Sequence, residues 1–193
     1  MFIDKRTAMV EGLVVAVFLS LLILMVPGKA LAAYECWLKI DGIDGESTVK
    51  GKERLIEVIS WSFGVSSPTD PQSGLPSGKR IMQPFKLTMR TSKASPPLIQ
   101  KFVMRSAIKM VTLTARKPAT ATPAGGDYLK ITLMDVQVIS FVNLGNSKST
   151  EAYPIEEVLL VYKKMEIEYR PTGPDGSLGP PVIVNFDWPS SVS

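Results

Sequence analysis

The sequence predicts a mainly β domain with one helix, rolled into a barrel or a tight two-sheet sandwich, and three stretches carry that expectation. Residues 128–144 (YLKITLMDVQVISFVNL) and 155–170 (IEEVLLVYKKMEIEYR) read as strands well beyond the usual five or six residues. Strands that long must twist or bend to serve two sheets. Residues 55–63 (LIEVISWSF) carry apolar side chains on both parities, with Leu55, Ile59, Trp61 and Phe63 set against Ile56 and Val58. Such a strand wants cover on both faces.

The first 33 residues read as a targeting segment. Lys5 and Arg6 precede the apolar run of residues 12–26, and Pro27-Gly28-Lys29 and the small-residue positions Ala30, Ala32 and Ala33 follow it. That pattern is a secretory signal peptide cut after Ala32 or Ala33, which leaves residues 34–193 as one domain. The competing reading is an uncleaved anchor helix, the chain's one route to a membrane. Spanning takes about 20 apolar residues, and Glu11 bounds the run, so length and flanks favour cleavage. No twin arginine is present. The general secretory route, ending in the periplasm or outside the cell, is therefore expected.

The strands then follow in order. Residues 34–40 (YECWLKI) place Cys36, Leu38 and Ile40 on an inner parity. The stretch IDGIDGES (residues 40–47) has carboxylates and glycines, but it lacks the alternating oxygen ligands of a calcium loop, and turn chemistry accounts for it. Strand 55–63 leads into a loop from Gly64 to Arg80 that is rich in proline, glycine and serine. A connection of that length is usually functional or disordered. We read it as an arm reaching another molecule, with Ser66, Ser67, Pro68, Asp70, Pro71, Leu75, Lys79 and Arg80 as its contact residues. Alternation resumes with Phe85, Leu87 and Met89 on one side and Lys86, Thr88 and Arg90 on the other.

The helix comes next. Ser95 stands as N-cap, Pro96 occupies the first helical position, and Leu98, Ile99, Phe102 and Val103 form an apolar stripe to about Ser106. It should lie on a sheet. Residues 109–116 (KMVTLTAR) are a further strand, 117–127 a Pro/Ala/Thr/Gly loop, and 145–153 a polar hairpin connection between the two long strands. After the breaker-rich stretch 171–181, a short strand is expected at residues 182–188.

Composition removes whole classes of chemistry. The 193 residues, enough to bury roughly 70% of the unfolded surface, contain no histidine and one cysteine, Cys36. Histidine-based triads and metal sites, intrachain disulfides and multi-cysteine metal sites are thereby excluded. The net charge of +4 falls to +3 without residues 1–32, which hold three basic and two acidic residues. That is too weak and scattered for nucleic acid. Neither a cofactor nor a metal is expected, and no nucleophile motif points to an enzyme.

One helix cannot cover every apolar face. A neighbouring copy would exclude water from the remainder, with Ile56, Val58, Trp61, Phe63, Leu159 and Val161 as the candidate subunit-interface residues. A β-bulge that shifts parity within the strand, or sheet curvature, would serve as well.

The order of several short motifs resembles a known family. IDGIDGES (40–47), IEVISWSFGV (56–65), FKLTMRTSKASPPL (85–98), YLKITLMDVQVIS (128–140) and residues 156–169 together look like Hcp, the haemolysin-coregulated tube protein of type VI secretion systems. The likeness covers essentially all of residues 34–193. It implies a two-sheet β-barrel-like fold with one flanking α-helix, assembled as homo-hexameric rings that stack into a hollow tube. It also implies a lumen for small effector cargo and a spike protein at the tube end. Residues 66–80 match the loop that reaches the adjacent ring, and none of the matched positions is catalytic in that family. The signal-like N-terminus departs from the family, as does Thr48-Val49-Lys50 where a histidine is common.

Two other functions stand beside the tube subunit. One is a monomeric secreted β-sandwich module that binds a ligand on a platform of Trp37, Trp61 and Trp188 with the 64–80 loop. The other is a hydrolase using Glu156 and Glu157, or Glu166 and Glu168, as paired carboxylates.

Overall fold

The computed structural model describes residues 34–117, 126–148 and 152–187. The signal-cleavage positions Ala30, Ala32 and Ala33, and Trp188, lie outside the described residues. Among the described residues, eight strands and one helix follow in the order β1 (Glu35–Ile40), β2 (Ile56–Ser66), β3 (Ile81–Arg90), α1 (Ser95–Val103), β4 (Ile108–Lys117), β5 (Gly126–Leu144), β6 (Ile155–Val161), β7 (Lys164–Tyr169) and β8 (Val182–Asp187). All pairings are antiparallel, and β4-β1-β2-β3-β6-β5 closes on itself through β4–β5. Closure removes edges from these six strands. β7 and β8 extend the sheet from β5, so among the described residues β8 is an edge strand.

Strands with simple alternation fold as their parity dictates. Cys36, Leu38 and Ile40 on β1, Phe85, Leu87 and Met89 on β3, and Val111, Leu113 and Ala115 on β4 all enter the core.

β2 is different, because Val58 pairs with Met89 while Ser60 pairs with Thr88, leaving Ile59 as an extra residue. This bulge flips the parity. Ile56 and Val58 face inward before it, and Trp61, opposite the buried Leu87, faces inward after it. The two-sided pattern is thus a single inner face with Ile59 ejected to solvent. Ile56 and Val58, only 2% and 8% exposed, are enclosed by their own chain and need no neighbour to shelter them. A second register shift falls opposite Pro84, whose missing N–H suits a break in the ladder.

β5 spans 19 residues and serves both sheets, as its length requires. Its first part pairs with β4 and β7, and its last with β6. The bend comes at Asp135, which holds φ at +53°. The partner breaks at the same level: the expected single strand of residues 155–170 is interrupted at Tyr162-Lys163, and the Lys163 N–H donates to the Met134 carbonyl at 3.1 Å.

A left-handed conformation costs an L-residue about 1–2 kcal/mol, least for Asp, Asn and Gly. Asp135→Val is therefore expected to lower unfolding stability by about 1–2 kcal/mol, and Asp135→Gly to leave it unchanged or slightly raised. Thermal unfolding of the two variants side by side measures this, and equal effects would remove the backbone explanation.

α1 corrects two expectations. Its N-cap is Ala94, with no side-chain cap, and Ser95 lies inside the first turn. Ala94 and Leu98, one turn apart, are buried, whereas Ile99, Phe102, Val103 and Met104 are exposed. The helix docks by one row of its surface and leaves the rest of its apolar stripe to solvent.

Candidate assembly surfaces

The predicted contact residues from Ser66 to Arg80 come together on one projection. β2 runs three residues further than the sequence suggested, to Ser66, and residues 67–80 then form a built arm rather than a loose loop. Thr69 and Pro76 make an isolated antiparallel bridge, the Ser77 N–H donates to the Pro68 carbonyl at 2.7 Å, and the Asp70 N–H donates to the Leu75 carbonyl at 2.9 Å. The Asp70 carboxylate turns back to accept the Gln72 N–H at 2.7 Å, closing the tip. Gly74 and Gly78, at φ +68° and +77°, supply the reversals that other residues resist. Residues 71–80 are all exposed, and Leu75 is 65% so. Three prolines and this internal bonding order the arm before it meets anything, which lowers the entropic cost of a contact.

Beside the arm's root, three aromatic rings stack almost parallel. Trp61 and Phe63 are 6.1 Å apart, and they lie 6.0 and 5.8 Å from the fully buried Phe85. Trp61 and Phe63 are half-buried, as are Leu159 and Val161 on β6. Trp37 is buried, and the Lys52 ammonium lies 5.3 Å above its ring while pairing with Asp127 at 2.7 Å. Trp37 and Trp61 therefore form no exposed platform.

Three of the four carboxylates in the hydrolase reading are taken up by ion pairs or structural hydrogen bonds. The Arg170 and Lys130 hydrogen bonds, at 2.9 and 3.1 Å, hold the Glu168 carboxyl below its ordinary range and keep it ionised. Glu157 pairs with Lys86 at 2.9 Å. Glu156 is buried and used structurally: its oxygens accept from the Ser95 hydroxyl at 2.8 Å and the Asn143 amide at 3.0 Å.

The short motifs also meet here. The Glu46 carboxylate accepts the Lys93 N–H at 3.0 Å, and Ser95 Oγ accepts the Ser92 N–H at 3.0 Å, so Gly-Glu-Ser and Lys-Ala-Ser-Pro together tie the β3–α1 loop. Gly45 is required because a Cβ there would fall 2.2 Å from the Leu55 carbonyl oxygen. Asp44 pairs with Arg54, which holds the Asp44 carboxyl below its ordinary range.

Sequence reasoning missed two surfaces. One is the exposed remainder of the α1 stripe. The other is β8, where every residue is exposed, Val182, Ile183, Val184 and Phe186 among them. Hydrophobic alternation predicts inward faces and does not reveal which apolar strand ends at an edge.

Comparison with known proteins places this architecture. A family model described as type VI secretion system effector, Hcp, matches residues 37–169. Protein hcp1 of Pseudomonas aeruginosa is 31% identical over 164 residues, covering 81% of this chain and 94% of that protein. The major exported protein of the same organism is 26% identical over 156 residues, covering 77% and 84%. The crystal structure of Hcp1 from Salmonella typhimurium superposes with a TM-score of 0.65 at 28% identity, covering 81% of this chain and 96% of that one. With the barrel, the flanking helix and the motif residues all in place, the chain belongs to the Hcp family of the type VI secretion system.

Proposed function

We propose that this chain is a structural tube subunit: identical copies close into a hexameric ring, and rings stack through the arm of residues 67–80. The observation that carries the reading is the apolar surface the fold leaves uncovered, on α1 and on β8. Monomers rarely expose such patches without an interaction to serve. Two separate apolar elements suit a heterologous contact, in which one patch meets a different patch on the next copy and the series closes as a ring. β8 also offers a strand edge, which a neighbour would protect. Trp61, Phe63, Leu159 and Val161 are the half-buried residues available to the same contact. The role is structural rather than catalytic. Export through the general secretory route, a spike protein at the tube end and small effectors in the lumen complete the reading.

Deleting residues 67–79 is the test. Rings of unchanged mass that no longer form tubes in negative-stain images are the expected result. Tubes of normal length would remove the arm from stacking, and monomers at high concentration of the intact protein would overturn the ring.

A further inference from the structure

We infer that Leu75 of one copy seats in a pocket at the opposite end of the next copy, an inference that rests on the stacking reading above. The pocket has a volume of about 150 Å³, and its walls include Glu46, Glu57, Arg90, Ser92 and Tyr153 with Ile56 among them. It lies at one end of the β2–β3 ladder, where β2 begins and β3 finishes. The arm leaves from the other end, where Ser66 pairs with Ile81.

Geometry makes the contact intermolecular. From Ile81 to Arg90 the extended chain covers about 30 Å, whereas the six residues from Ile81 back to Leu75 reach at most about 20 Å. An arm cannot fill its own pocket. Copies repeated head to tail bring each arm to the pocket of the next, a contact that propagates without closing.

The chemistry matches on both sides. Leu75 is the single large apolar side chain of the arm, and the exposed Tyr153 ring offers it apolar surface at the pocket. The arm's only carboxylate, Asp70, is bound into its own turn by the Gln72 and Ser73 N–H groups and does not oppose the acidic wall. Lys79 and Arg80, exposed at the arm's base, approach an end whose pocket carries two carboxylates, Glu46 and Glu57, against one guanidinium, Arg90. The wall is already fixed, because Ser92 and Lys93 are held by Ser95 and Glu46.

The experiment is a cysteine pair, Leu75→Cys with Glu57→Cys, in the full chain. Cys36 does not interfere, since burial pushes its thiol up to about 12. Oxidising assembled tubes with copper phenanthroline is expected to give a ladder of disulfide-linked multimers on a non-reducing gel, with no ladder from either single variant. Leu75→Asp is the companion, expected to raise the protein concentration needed for tubes at least tenfold while rings persist. Tubes that give no ladder, or Leu75→Asp tubes at the ordinary concentration, overturn the pocket and leave stacking itself intact. Unsubstituted rings that never stack overturn both.

Discussion

Phe85→Ala is expected to lower unfolding stability by about 3–5 kcal/mol, the range for deleting a fully buried aromatic side chain. Phe85 has no exposed surface and forms the inner plate of the stack with Trp61 and Phe63. Its removal withdraws contact from both rings, and the closed barrel resists collapse into the space. A domain of this size has about 5–15 kcal/mol in total, so this single change takes a large share.

The measurement is urea unfolding followed by tryptophan fluorescence. The midpoint should fall with little change in slope, and native emission should move to longer wavelength as Trp61 meets water. Phe63→Ala, at a half-buried ring, should cost clearly less. Equal costs would mean that the stack, rather than the barrel interior, supplies the stability. Because β2 and β3 carry the arm, the same variant should also lose tubes near its own unfolding midpoint and not before.

How much was legible in the sequence depends on how local each cause is. β3, β4 and the inner face of β1 follow alternation, so their core residues could be read directly, whereas the burial of Trp37 on the other face of β1 could not. β2 could not be read to the end, because nothing in Val58-Ile59-Ser60 marks which residue the ladder will skip. The 155–170 stretch looked continuous because its break at Tyr162-Lys163 contains neither glycine nor proline and is imposed by the bend in β5. The arm was legible as a whole through its prolines, glycines and length. Its fixed shape was not, since the Thr69–Pro76 bridge and the Asp70 turn are visible only once folded. Ser95 has the composition of a cap, but its hydroxyl goes to Glu156, 61 positions away in the chain. Local rules have no access to a partner at that separation.

That long-range bond sets up the second large effect. Glu156→Ala is expected to cost about 2–6 kcal/mol, because it leaves two donors without their acceptor at about 1–3 kcal/mol each. Glu156 is 1% exposed, and it joins three segments: Ser95 on α1, Asn143 on β5 and its own strand β6, with Asn143 also donating to Thr91 at 2.9 Å. Glu156→Gln should cost no more than about 1 kcal/mol. Its carbonyl oxygen can still accept from Asn143, and its NH2 can donate to Ser95 Oγ, whose hydroxyl rotates to suit. The contrast between the two variants isolates hydrogen bonding from charge. If Gln proves as damaging as Ala, the negative charge itself holds the junction and the hydrogen-bond account is wrong. Hydrogen exchange gives a second readout, since the Ser92 and Lys93 amides should lose protection in Glu156→Ala while the β1–β4 ladder keeps its own. Those two residues belong to the loop that walls the proposed Leu75 pocket, so a weakened junction should also loosen stacking in protein that is still fully folded.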